Sequence, residues 1–270
     1  MVDRAESDDA ESGAHAEPGE TLAAQVYERL RDDIILATLR PDQKLTMDLL
    51  KERYDVGMTP LREALYRLSS SMLVTIENRR GFRVAPVSPA HLTEVIRARE
   101  EVEVILLRAA FENADVAWEG RIVAAFHALM RASGSRPNHG PYTASWEATH
   151  RDFHLALLSA ARQPMLQEFH KSLWDHCSRY RNLAYPGRVK VSTVFDGHQQ
   201  LMDAAVARDV ELGCVLLRRH INLATSHIMG AMFPGKAPGQ RSGAAEAGTP
   251  AGGAGTSAAA SVATRDSRSA

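Results

Sequence analysis

Four histidines, His150, His154, His198 and His220, have the spacing that could do chemistry in this chain. His150 and His154 are four positions apart, so on a helix they stand one above the other on a single face. In that way one helix can offer two imidazoles to one metal ion. His198 lies eleven residues before Asp209 and His220 lies eleven after it. Asp209 is a residue type that caps helix starts. If two antiparallel helices are joined there, positions symmetric about it come side by side at the same height. The four imidazoles then converge inside a bundle and suit a borderline divalent ion, Zn²⁺ or Ni²⁺. Asp152 is two residues from each member of the first pair and faces away, so it is not expected as a ligand. His91, His127, His139, His170, His176 and His227 are read as exposed or hydrogen-bonded helix residues.

Arg99 is the other chemically loaded position. It falls on the apolar stripe Leu92, Val95, Val102, Leu106 and Ala109. A guanidinium on an inward seam needs an anion, because an unpaired buried charge is too costly. Glu103, one turn on, could supply it as an ordinary ion pair. Alternatively, Arg99 presents its planar fork to the carboxylate of a ligand, a task suited to arginine. Both readings stand at this point.

A different chemistry lies earlier in the chain. Thr59-Pro60 reads as a helix start: threonine can accept from a free first-turn N–H, and proline lacks a donor that would go unpaired there. Leu61, Leu65 and Leu68 then form one apolar face, while Arg62 and Arg67 project elsewhere. A short helix with a seated back and a cationic front fits a DNA major groove. Downstream, Arg79, Arg80 and Arg83 crowd around Gly81 in a turn between two β-prone runs, Leu73–Glu77 and Phe82–Ala85. Such a cationic hairpin tip suits a phosphate backbone and the minor groove.

The elements that must position these groups follow from periodicity. A first helix runs from Leu22 towards Thr38 and ends before the turn Arg40-Pro41-Asp42. A second covers Met47 to Tyr54, with Leu49 and Leu50 inward, and Asp55-Val56-Gly57 turns into the Thr59 helix. Three helices followed by a basic hairpin make a winged helix-turn-helix over residues 21–86. Pro86, Ser88 and Pro89 form a linker. Residues 90–232 read as six helices, His91–Asn113, Asp115–Arg131, Thr143–Ala161, Pro164–Leu183, Ser192–Arg208 and Val210–Met229, with a Gly/Pro break from Ser133 to Pro141. The fold class expected is therefore mainly α, a winged helix-turn-helix ahead of an antiparallel all-α bundle. Residues 1–20 and 233–270 have the composition of disordered tails.

At 270 residues and 44% hydrophobic content the chain can form about two domains. The formal net charge of −1 hides segregation: between Thr21 and Pro89 there are eleven basic and nine acidic residues, with acids gathered in the first helix. The stretch from Arg62 to Arg83 is left dominated by cations. No run of eighteen apolar residues exists, so no membrane span is expected. The acidic N-terminus lacks the apolar core of a secretory signal. Cys177 and Cys214 show no motif spacing and are read as free thiols, consistent with a cytoplasmic protein.

Three segments together resemble the GntR-type transcriptional regulators: Val26-Tyr27-Glu28-Arg29-Leu30-Arg31-Asp32-Asp33-Ile34-Ile35, Thr59-Pro60-Leu61-Arg62-Glu63-Ala64-Leu65 and Arg79-Arg80-Gly81-Phe82-Arg83-Val84. The helical half resembles the FadR-type, or FCD, ligand-binding branch of that family. It does so through Arg99 and Glu103, the Phe153-His154 dipeptide, and the spaced His198 and His220. The likeness extends over roughly Leu22 to Met229. It implies a homodimer on a palindromic double-stranded operator, with the Thr59 helix in the major groove and the hairpin in the minor groove. It also implies a small organic-acid effector beside or on a metal ion. By matching position, Thr59, Arg62 and Gly81 inherit DNA-contact roles, and His154, His198 and His220 inherit ligand roles.

Three positions depart from the family pattern. Met58 stands where a basic arginine is common, His150 where the first metal ligand is often aspartate, and Gly197 where an acidic residue usually precedes the third ligand. An all-imidazole site is less anionic and should hold metal with a sharper acid cutoff.

The function expected is a DNA-binding transcription regulator, a repressor, whose operator affinity is controlled by a small carboxylate bound at Arg99 and Glu103 near a metal held by His150, His154, His198 and His220. Lys51, Arg62, Arg67, Arg79 and Arg80 would attract phosphates. One rival is the same regulator with a purely structural metal. The other is a metal-dependent hydrolase, against which no glutamate or serine is placed beside the histidine pair as base or nucleophile.

Overall fold

The computed structural model describes residues 21–77, 81–133, 144–185 and 192–235. Residues 1–20, all but the first three residues of the 233–270 tail, the hairpin tip with Arg79 and Arg80, and most of the Ser133–Pro141 break lie outside them; Phe233, read as part of the tail, instead caps the last helix and packs on the bundle core. Among the described residues, α1 (Leu22–Ile35), β1 (Lys44–Leu45), α2 (Met47–Tyr54), α3 (Met58–Ser70), β2 (Val74–Glu77) and β3 (Gly81–Val84) form a head. A bundle of α4 (Pro89–Glu112), α5 (Val116–Ala132), α6 (Ala144–Leu158), α7 (Pro164–Ala184), α8 (Ser192–Val206) and α9 (Val210–Met232) follows. The mainly α class expected from periodicity is what the chain adopts.

In the head, Val26, Leu30 and Ile34 of α1 pack against Leu61, Leu65 and Leu68 of α3 in one apolar core, closed by Phe82 and Val84 of the sheet. The sheet order is β1-β3-β2, with Leu45 and Ile76 both opposite Phe82. The strand β1 was not expected, since two residues carry no periodicity. Thr46 and Thr21 cap α2 and α1 by accepting from the N–H groups of Leu49 and Ala24.

Three local expectations are corrected. The helix carrying Thr59 begins at Met58, and its N-cap is Gly57, with no side-chain cap bond. Asp55, in the left-handed region at φ 53°, makes the turn, so the helix starts before the threonine can cap it. The first helix ends at Ile35 rather than near Thr38, because Ala37 takes a left-handed φ of 59°. Leu49 is exposed while Leu50 is buried, so only the latter faces inward.

The bundle has its own core, centred on Leu106, Ala110, Trp118, Ile122, Phe153 and Leu217. Three of its helices, α4, α5 and α9, start on Ser88, Asp115 and Asp209, each accepting from the N–H three residues on. Asp209 is thus the hinge of the α8–α9 hairpin on which the symmetry argument for His198 and His220 depends. Both cysteines are buried and free, and no helix among the described residues is long and apolar enough to cross a membrane.

Candidate metal centre and nucleic-acid interface

Three helices bring the four imidazoles together. α6 supplies His150 and His154, whose ring centroids are 4.9 Å apart. The α8–α9 hairpin places His198 and His220 at 4.4 Å, and His150 is 4.9 Å from His198 while His154 is 5.2 Å from His220. One ligand atom from each lies within 4.8 Å of the others. His150, His154 and His198 are buried and His220 is half-buried. Neither ring nitrogen of His150 or His154 has a hydrogen-bond partner, a costly state for buried polar atoms unless something else meets them. Burial, reinforced by the neighbouring imidazoles, holds His150 and His220 well below the usual histidine range. Burial lowers His154 too, against the pull of the Glu103 carboxylate. Neutral imidazoles with unshared lone pairs are the form that ligates a metal, so the donor set fits a divalent ion.

Around this quartet lies a charged shell. Glu103 is completely buried; its Oε1 accepts from Arg99 Nε at 2.6 Å and pairs with His170 Nε2 at 2.8 Å. Its Oε2 lies 3.7 Å from His154 Nδ1, longer than a hydrogen bond. Burial would raise the Glu103 pKa, but Arg99 together with His154 and His170 outweighs it and keeps the carboxyl well below its ordinary value. The Arg99 guanidinium lies over Trp174 at 4.5 Å, and its Nη2 makes no hydrogen bond. The one-turn ion pair with Glu103 is formed, and the buried Nη2 has no hydrogen-bond partner.

Sequence reasoning missed several members of this shell. Trp146 stacks on His150 at 4.6 Å, and Trp174 sits 5.2 and 5.1 Å from His150 and His154. Arg181 donates to Glu147 at 2.5 Å and also lies over Trp174. The signal that could have found them is the spacing of His170, Trp174, Ser178 and Arg181, one stripe of α7. Gly197 has a positive role. A Cβ there would come within 3.1 Å of His220 Nδ1, so the missing side chain makes room for that imidazole.

On the head, Thr59, Arg62, Glu63 and Tyr66 stand exposed on one side of α3, with Met58 at its start, while Leu61, Ala64, Leu65 and Leu68 are buried. Arg62 and Lys51 are exposed, with no hydrogen bond or ion pair to any described residue. Arg67 differs: its guanidinium lies 4.2 Å from the Tyr27 ring. Gly81 takes φ 94°, a conformation open mainly to glycine. Arg83 is held by Glu77 at 2.6 Å and by the Asp42 carbonyl.

The opposite stripe of α7 grips the head. Asp175 accepts from Arg31 Nε at 2.6 Å and Nη2 at 3.0 Å, a two-bond fork. His176 Nε2 meets the Ser71 carbonyl at 2.9 Å, and Asn182 donates to the Ile35 carbonyl at 2.8 Å. Arg179, almost fully buried, donates to the Ala85 carbonyl through Nη2, but its Nε and Nη1 have no partner. Burial pulls its pKa down to about 10.

Two family models match the chain: bacterial regulatory proteins of the gntR family over residues 22–84, and the FCD domain over residues 94–223. The chain is 33% identical to the HTH-type transcriptional repressor GlaR of Escherichia coli over 72% of its length and 90% of that protein. It is 35% identical to the HTH-type transcriptional regulator BphR of Paraburkholderia xenovorans over 76% of its length and 84% of the relative. The fold is shared with the E. coli McbR/YncC structure at a TM-score of 0.66 and 23% identity, over 77% of this chain and 97% of that one.

Proposed function

The chain belongs to the gntR family of bacterial regulatory proteins and carries an FCD domain, and from that membership we propose that it is a homodimeric cytoplasmic repressor whose hold on a palindromic operator is set by a small organic acid bound beside a metal ion. It is a DNA-binding transcriptional regulator rather than an enzyme. The GlaR relative is described as a repressor, which supports that sign of regulation.

In this reading α3 enters the major groove. Thr59 and Arg62 read or anchor there, and Lys51, Arg67, Arg79 and Arg80 attract phosphates, with Gly81 shaping the wing. His150, His154, His198 and His220 would hold the ion, Zn²⁺ or Ni²⁺, which when bound supplies positive charge to a carboxylate. Arg99 would take the acid through Nη2, which has no hydrogen-bond partner. Glu103, engaged by Arg99 and His170, orients Arg99 and faces His154. The observation that carries the coupling is α7: Trp174 and Arg181 line the site from one stripe, while Asp175, His176, Arg179 and Asn182 grip the head from the other. A ligand that repacks Trp174 or Arg181 shifts the helix to which the head is clamped. Such control requires the effector to favour one of two head positions.

The test is operator affinity measured with and without small carboxylates on the metal-loaded chain. The response should vanish in Arg99→Ala, whereas Asp175→Asn should still bind the acid while its operator affinity no longer follows. Retention of the response in both variants would refute the route. One observation favours a purely structural ion: four imidazoles already complete a tetrahedral zinc shell. In that case chelation lowers the melting temperature and leaves acid affinity untouched.

A further inference from the structure

The charges around the quartet allow the class of acid to be narrowed, on the footing of the reading above. All four candidate ligands are imidazoles, and an imidazole ligates a metal through the lone pair of its neutral ring, so it brings no negative charge. They cannot neutralise a divalent ion. Glu103 lies 3.7 Å from His154, and its charge is matched by Arg99 at 2.6 Å. Glu147 is likewise matched by Arg181 at 2.5 Å. Burial pushes the Cys177 thiol up, so it adds no anion. Among the described residues, then, the double positive charge of a bound ion stays uncompensated in a buried site. Uncompensated charge in such surroundings is expensive.

We infer that the effector is a dianion, a small dicarboxylate, rather than a monocarboxylate. Two negative charges neutralise the ion, and a second carboxylate gives the buried, unbonded Nη2 of Arg99 a partner while the first faces the ion. A monocarboxylate would leave one positive charge buried. The residue responsible is His150: with an aspartate there the protein itself would supply one of the two charges, and a monoanion would suffice.

The experiment is isothermal titration of the zinc-loaded full chain, without DNA, using acetate, propionate, succinate and glutarate at constant ionic strength, with bound zinc measured before and after. Succinate or glutarate should bind at least about tenfold more tightly than acetate or propionate, the scale of one extra charge at a partly buried site. In His150→Asp that ratio should fall about tenfold, with zinc retained. Equal affinity for the two classes in the wild-type chain overturns the inference even if His150→Asp fails to fold. Binding of monocarboxylates alone, or an unchanged ratio in a folded, zinc-retaining His150→Asp, overturns it too. If zinc is not retained, or none of the acids binds, the proposed sensing function fails first, and that outcome is separable.

Discussion

In the bundle four imidazoles lie packed against one another behind two tryptophans and two ion pairs, whereas on α3 Thr59 and Arg62 stand in solvent with no described partner. The first region is fixed by its neighbours: the rings pack on one another, and removing one member of either ion pair leaves a buried charge. The second is fixed only by what lies beneath it, the Leu61–Leu65–Leu68 back of the helix. A sensing centre that must discriminate small anions gains from a rigid, low-dielectric shell. A surface that must find and slide on DNA gains from long, free cations.

The contrast can be broken by substitution. Arg99→Ala leaves Glu103 buried without its cation and should destabilise the fold by about 3–5 kcal/mol, read as a fall in melting temperature; Arg62→Glu should leave melting within about 0.5 kcal/mol of wild type yet abolish operator retention on a gel. His154→Ala should weaken metal retention by more than the roughly 10–100-fold typical of losing an outer-shell partner, measured by competition with a chelator. Basal operator affinity should change little.

Within the head, Arg62→Ala should cost about 1–3 kcal/mol in operator binding and flatten the salt dependence by about one ion. Arg67→Ala should cost less, because that guanidinium already rests on Tyr27. Equal losses would show that the stacking does not restrain Arg67. Gly197→Ala presses a methyl towards His220 and should weaken metal binding by about tenfold at most, with no change at the operator in the absence of acid.

The smallest effect concerns pH at the junction. Burial, with added push from His91 and Arg179 and opposed by Ser71 and Asp175, holds His176 below its ordinary value. The folded state then binds fewer protons than the unfolded one, so His176 contributes stability above about pH 6.5 that is lost as pH falls. Limited proteolysis of the linker at residues 86–88 should accelerate on acidification, and less steeply in His176→Gln.

How much of this was legible in the sequence depends on the range of the contact. His150 with His154, and His198 with His220 about Asp209, are set by helix geometry alone, and the structure brings all four together. The ion pair of Arg99 with Glu103 is likewise a one-turn relation. The start of α3 was misplaced by two residues, its cap falling at Gly57 rather than Thr59, because the left-handed turn at Asp55 begins the helix before the threonine. Arg67 over Tyr27, Arg31 on Asp175 and Trp174 beside His150 join residues far apart in the chain, and no local period announces them. The double duty of α7 was hidden for the same reason: both of its faces are buried, so it reads as a core helix rather than a connector.

One measurement reaches the central claim most directly: fluorescence anisotropy of the zinc-loaded chain on an operator selected from random DNA, titrated with succinate, for the wild type and His154→Ala. A succinate-dependent change of operator affinity in the wild type, absent in a variant that still binds the same DNA, is the expected result. An identical response in both proteins would contradict control of the DNA-binding head by the imidazole centre.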